Sequence, residues 1–155
     1  MDLQCVQVTA DSVDTEAFRL LGRDYLAELL CDRLAEEREA FLQSMLDRQG
    51  EPDRWLLLLK AADEPVGFIH AKIDHDDRPG WRYILEFYIR PEKRKSGLGQ
   101  ILCEHMLRLF SQRGIKDVWL ASNRPPRDSG ARSVSTKPAN STGMVYPAPA
   151  GFEVR

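Results

Sequence analysis

The chain is short of cysteine, long apolar runs and net charge, and each shortage removes a class of protein. Its three cysteines, Cys5, Cys31 and Cys103, are odd in number and widely spaced, which argues against a disulfide framework and for a reducing cytoplasm. The longest apolar run, Trp55 to Leu59, falls far below the roughly 20 residues of a membrane helix. No basic, apolar, small-residue leader opens the chain at Met1-Asp2-Leu3, so a soluble protein with no membrane partner is expected. With 22 basic against 24 acidic side chains the net charge is -2, and no global field draws nucleic acid. The three histidines, His70, His75 and His105, stand at no metal-ligand spacing with the cysteines. No metal is expected, and a Cys103 nucleophile is disfavoured because nothing in the sequence activates the thiol.

What is present suits one domain over residues 1–155, with 43% apolar and 30% charged side chains and enough length to bury about two-thirds of the unfolded chain's surface. Leu3 to Val8 alternates with period two and reads as a strand. From Glu16 to Arg48 apolar residues recur at helical spacing, which predicts two helices with a break near Asp32. Trp55 to Lys60 and Val66 to Ile73 flank a turn at Ala62-Asp63-Glu64-Pro65, a predicted hairpin, and Trp81 to Ile89 follows as the next strand. A helix is expected over Gln100 to Gln112, ended by Arg113-Gly114, and then a strand over Lys116 to Ala121. A strand, helix, strand unit of this length implies parallel pairing of its two strands. The expected fold is therefore α/β of the α+β type, a mixed and mostly antiparallel sheet with one parallel pair and helices on both faces. Residues 123–138 carry almost no apolar periodicity and read as a mobile loop.

Between the strand and the helix lies Arg94-Lys95-Ser96-Gly97-Leu98-Gly99. Successive backbone N–H groups, two glycines and a helix N-terminus together suit an anion. A dinucleotide fingerprint would need glycine where Leu102 stands, and a Walker loop would need Gly-Lys-Ser/Thr. The pattern Arg-x-x-Gly-x-Gly, following Ile89-Arg90-Pro91-Glu92, resembles the acyl-CoA loop of the GCN5-related N-acetyltransferase (GNAT) family. The resemblance is strongest over residues 86–120. It implies acetyl-CoA as cosubstrate, with the backbone of Lys95, Ser96, Gly97, Leu98 and Gly99 on the pyrophosphate and Arg94 nearby. Pantetheine would pair along Phe87 and Ile89, where the parallel strands splay. It also implies direct acetyl transfer to a primary amine of a small molecule or peptide. A catalytically silent CoA-binding module is one alternative; a nucleotide- or RNA-binding domain built on the basic loop is the other.

Period-two alternation puts Ile84, Glu86 and Tyr88 on one face of the strand and Leu85, Phe87 and Ile89 on the other. Glu86, a carboxylate amid apolar and aromatic neighbours, must be paired, wet or functional. The resemblance implies that it is the general base; a structural pairing with Arg82 or Lys72 is the competing reading. A base matters because an amine with pKa near 10.4 is neutral about one part in 2,500 of the time at pH 7, a deficit of roughly 4.6 kcal/mol. The family commonly places a tyrosine general acid on a short helix before Gly-Phe. Here Tyr146 stands one position early, Pro147 takes the usual site and Pro149 spoils a helix, so aromatic packing competes with catalysis. Asn123 is read either as a pantetheine or acceptor contact or as a turn residue. Glu28, Asp32, Glu36, Glu37 and Glu39 favour a cationic acceptor unless they form a solvated helix face. Nothing in the sequence identifies that acceptor, and a homodimer is left open.

Overall fold

The computed structural model describes residues 2–115, 117–121 and 143–146. Its strands are β1 (Leu3–Gln7), β2 (Arg54–Ala61), β3 (Glu64–Ile73), β4 (Arg82–Ile89), β5 (Val118–Ala121) and β6 (Gly143–Tyr146), forming one sheet in chain order. All neighbours are antiparallel except β4 and β5, which pair in parallel as the strand, helix, strand unit requires. The helices are α1 (Thr15–Leu29), α2 (Ala35–Asp47) and α3 (Leu98–Ser111).

The apolar run of β2 has a simple physical reason. Leu56 and Leu58 pack with Phe18, Leu21 and Leu26 of α1 and Leu42, Met45 and Leu46 of α2. Their neighbours Trp55, Leu57 and Leu59 face the other way and pack with Leu102, Met106 and Phe110 of α3. A strand covered by helices on both faces buries every residue, so its sequence does not alternate. The helix predicted from Gln100 starts two residues earlier, at Leu98, and the strand predicted from Lys116 starts at Val118. His105 is half-buried on α3.

Two irregularities of β4 shape the site. Opposite β3, His70 pairs with Glu86 while the next residue, Ala71, pairs with Ile84, so Leu85 is an extra residue and forms a β-bulge. The bulge corrects the expected facing: Tyr88 joins the α1/α2 core, whereas Ile84 packs with the α3 core and does not share the Tyr88 face. Beyond the bulge β4 leaves its parallel partner. Among the described residues, pairing with β5 covers Arg82, Tyr83 and Ile84 and stops, so that the β5-side edge from Leu85 to Ile89 has no described partner strand. The expected loop at residues 123–138 lies outside the described residues.

Candidate active site

The unpaired edge of β4 runs straight into the glycine turn. A single 3-10 turn at Pro91–Lys93 leads into the loop, where Lys95 (φ 61°) and Gly97 (φ 83°) adopt left-handed conformations. These two residues reverse the chain direction into α3, whose first helical bond joins the Ile101 N–H to the Gly97 carbonyl at 3.1 Å. The helix has neither a side-chain cap nor an acidic residue in its first turn, unlike α1 with Glu16 and α2 with Glu36 and Glu37. Its opening N–H groups and the positive end of its dipole thus suit an anion. A Cβ on Gly97 would have nothing within 4 Å, whereas one on Gly99 would lie 3.3 Å from Phe87 Cζ. Gly99 therefore lets α3 lie against β4, and Gly97 leaves the approach to the backbone open. Phe87 is 41% exposed beside this approach, and Ile89 is buried.

Arg94 is spent differently from the expectation of a side chain beside the phosphates. Its Nε donates to the Ile89 carbonyl at 2.8 Å, and its Nη2 contacts both carboxylate oxygens of Glu28 on α1, at 2.9 and 3.1 Å. The Tyr88 hydroxyl donates to the same carboxylate at 3.3 Å. Burial and then the Glu28 charge push the Tyr88 phenol up to about 12. Arg94 therefore ties the loop to the end of β4 and to α1. The Ser96 hydroxyl donates to the Lys93 carbonyl at 2.5 Å and tightens the turn from within.

Glu86 lies mid-strand, largely buried, and its partner is neither Arg82 nor Lys72. Arg82 donates to the Ile115 carbonyl and lies over the Phe110 ring; Lys72 lies over the Tyr83 ring. Instead Glu86 Oε2 is 2.5 Å from His70 Nδ1, and His70 Nε2 is 3.1 Å from Arg54 Nη1 and 3.3 Å from Gln49 Nε2. Arg54 in turn pairs with Glu51 at 3.0 Å. His70, Arg54 and Gln49 are all buried. Tyrosines surround the carboxylate: burial and then the Glu86 charge push the Tyr25 phenol up, and the same two causes lead the rise of Tyr83. Tyr25 also packs edge-on against Phe68, and Tyr83 stacks face to face on Trp119 at 3.9 Å.

The remaining expectations divide. Asn123 lies outside the described residues. The Tyr146 backbone closes β6 beside Val118, at the start of β5 and away from the unpaired edge of β4. Of the acidic side chains read as attracting a cation, Glu28 holds Arg94, Glu39 pairs with Arg23 at 2.7 Å and Glu37 accepts the Leu34 N–H at 3.1 Å. These three do structural work, as a solvated helix face would. Sequence reading missed His70, Arg54 and Gln49 as companions of Glu86, because only the β2–β3–β4 register and the turn after α2 bring them together. Burial raises the Cys5 thiol to about 11 and, with Glu104 adding to it, raises Cys103, so neither is an activated thiolate. Among the described residues no cluster of His, Cys, Asp and Glu is arranged to hold a metal.

Comparison with known proteins agrees with this geometry. The acetyltransferase (GNAT) family model matches residues 16–128. The PaiA N-acetyltransferase of Thermoplasma acidophilum, solved with coenzyme A, superposes with a TM-score of 0.62 at 19% identity over 80% of this chain and 81% of its own. AAC(6')-Iy, solved with a bisubstrate analogue, gives 0.61 at 18% identity over 83% of each chain. The aminoglycoside acetyltransferase meta-AAC0020 from an uncultured soil sample, solved with sisomicin, gives 0.61 at 14% identity over 79% of this chain and 78% of its own. Among curated proteins no relative matches. The family model spans most of the chain and includes the bulged strand, the glycine turn and α3, and with the shared fold it establishes that this protein belongs to the GNAT acetyltransferase family.

Proposed function

We propose that this protein transfers the acetyl group of acetyl-CoA directly to a primary amine of a small molecule or peptide. The observation that carries the reading is the uncapped N-terminus of α3, entered through left-handed Lys95 and Gly97 and adjoining the unpaired edge of β4. That arrangement offers backbone donors for a pyrophosphate and a strand edge for an amide-bearing pantetheine arm. Glu86 takes the proton that the amine loses as its nitrogen attacks the thioester carbonyl, and CoA leaves as the thiolate. Glu86 Oε2 is held by His70 and no described residue bonds Oε1, so one carboxylate oxygen is available for that proton, directly or through water. Structural relatives solved with coenzyme A and with an aminoglycoside are consistent with this donor and with amine acceptors. No helix among the described residues is long and apolar enough to cross a membrane. The free cysteines suit a reducing compartment, and a cytoplasmic setting fits them best.

The test has two arms. Calorimetry should detect CoA binding to the wild type and its loss in Gly99→Trp, whose side chain would collide with Phe87 where α3 meets β4. Unchanged affinity in a folded Gly99→Trp protein would refute the loop assignment. Thiol release from acetyl-CoA with a linear diamine, an aminoglycoside and a lysine-containing peptide then reads the acceptor class. Binding without turnover on any of them would identify a CoA-binding module.

A further inference from the structure

Every group around the His70 ring has a fixed hydrogen-bonding role. Arg54 is a guanidinium and can only donate. Gln49 could present either amide atom to the ring, but its Nε2 also donates to the Met45 carbonyl at 2.7 Å. Turning the amide over would set two acceptors against each other, so the nitrogen stays where it is. His70 Nε2 therefore faces two donors, at 3.1 and 3.3 Å, and must offer its lone pair to them. The ring proton is then on Nδ1, aimed at Glu86 Oε2. The arrangement is buried and joins three strands to the turn after α2: Gln49 lies in that turn, Arg54 opens β2, and His70 of β3 lies opposite Glu86 of β4 just before the bulge.

We propose that His70 is a positioning residue for acetyl transfer: locked by Arg54 and Gln49 as its Nδ1–H tautomer, it holds Glu86 Oε2 and directs the other carboxylate oxygen at the amine. The proposal rests on the function proposed above. The hydrogen bonds accepted by the His70 Nε2 fix which nitrogen carries the proton, and so fix the Nδ1–H that Glu86 accepts. A free carboxylate on a strand would swing between rotamers and solvent positions. One held by a buried, oriented donor keeps its proton-accepting oxygen in place, and a base displaced by ~1 Å costs on the order of 10²-fold in rate.

Two measurements test it on the full chain. Long-range proton–nitrogen correlation spectra of the wild type at neutral pH should give His70 a pyrrole-like Nδ1 and a pyridine-like Nε2; the opposite tautomer, or a doubly protonated ring, overturns the proposal whether or not the protein is an enzyme. The second measurement compares two amide replacements of similar polarity. An Asn amide nitrogen occupies the place of Nδ1 and can still donate to Glu86, whereas a Gln amide reaches the place of Nε2 and cannot. With the amine that the wild type acetylates fastest, His70→Asn should keep kcat within about threefold while His70→Gln loses about tenfold or more, the KM for acetyl-CoA being unchanged in both. Equal losses in the two variants, or no loss in either, overturn it. If the wild type turns over no amine, the function proposed above fails while the spectrum still decides the tautomer.

Discussion

Glu86 in β4 and Asp74 just past the end of β3 are both largely buried carboxylates, and their surroundings give them opposite tasks. Asp74 is 2% exposed and accepts the backbone N–H groups of Asp76, Asp77 and Arg78 across the β3–β4 turn, at 3.1, 3.4 and 2.8 Å. Burial raises its carboxyl, but these three donors, together with Lys72, outweigh burial and hold it below the ordinary aspartate value. Its stabilisation is therefore present above the unfolded-state pKa, about 3.9, and is lost as the pH falls through the depressed folded value. Denaturant melts should show Asp74→Ala costing about 1–3 kcal/mol at neutral pH and a gap from the wild type that narrows in acid; a gap independent of pH would refute the assignment. Glu86 has one described hydrogen-bond partner and a second oxygen without one. Glu86→Gln should lower the acetyl-transfer rate at neutral pH by roughly 10²–10⁴-fold and leave CoA affinity unchanged, which stopped-flow kinetics and calorimetry would check. Glu86 could be picked out of the sequence because a charge inside an aromatic strand is conspicuous. His70 could not, since its meaning depends on a cross-strand partner sixteen residues away.

Elements bring these residues together through departures from regularity that a periodicity argument misses. Helical spacing marks α1, α2 and α3 plainly, and the Arg-x-x-Gly-x-Gly pattern marks the turn. The bulge at Leu85 leaves no such mark, because an inserted residue is chemically ordinary and only the register with β3 exposes it. Its effect is to swap the faces of the first half of β4 relative to the second. This puts Ile84 against α3 and keeps Tyr88 toward α1. The Arg94 link from the loop to α1 was illegible for a similar reason, since Glu28 lies sixty-six residues before it. That link has separable parts. The Arg94–Glu28 pair is about half exposed on both sides, so Glu28→Ala should shift stability by less than about 1 kcal/mol. Arg94→Ala also removes the donor to the Ile89 carbonyl and should weaken CoA binding more than Glu28→Ala does. Calorimetry on the two variants decides it, and equal affinities would mean that the loop holds its shape without the arginine.

Among the described residues the sheet lies between two separate apolar cores, one on each face. Leu21 of α1 and Leu102 of α3 are fully buried, but they belong to separate clusters on opposite faces and share no packing partner among the residues of those clusters. Each Leu→Ala change should cost about 2–5 kcal/mol, the lost transfer energy plus the cavity left behind. Because the sites are independent, the two costs should add to within about 0.5 kcal/mol in the double variant. A domain of this size has only about 5–15 kcal/mol of stability, so the double variant should give up a large share of it and melt at a much lower urea concentration than either single variant. The functional consequences should differ by face. The cavity at Leu102 underlies the helix whose N-terminus is the proposed pyrophosphate site, so Leu102→Ala should weaken CoA binding. Leu21→Ala loosens α1, which reaches the loop through the half-exposed Glu28–Arg94 pair, and should lower CoA affinity less than Leu102→Ala does. Urea melts of the two single variants and the double, with CoA titrations of the singles, check both points. Strong non-additivity would show that the strands transmit strain from one core to the other, and equal losses of CoA affinity would remove the division of labour between the faces.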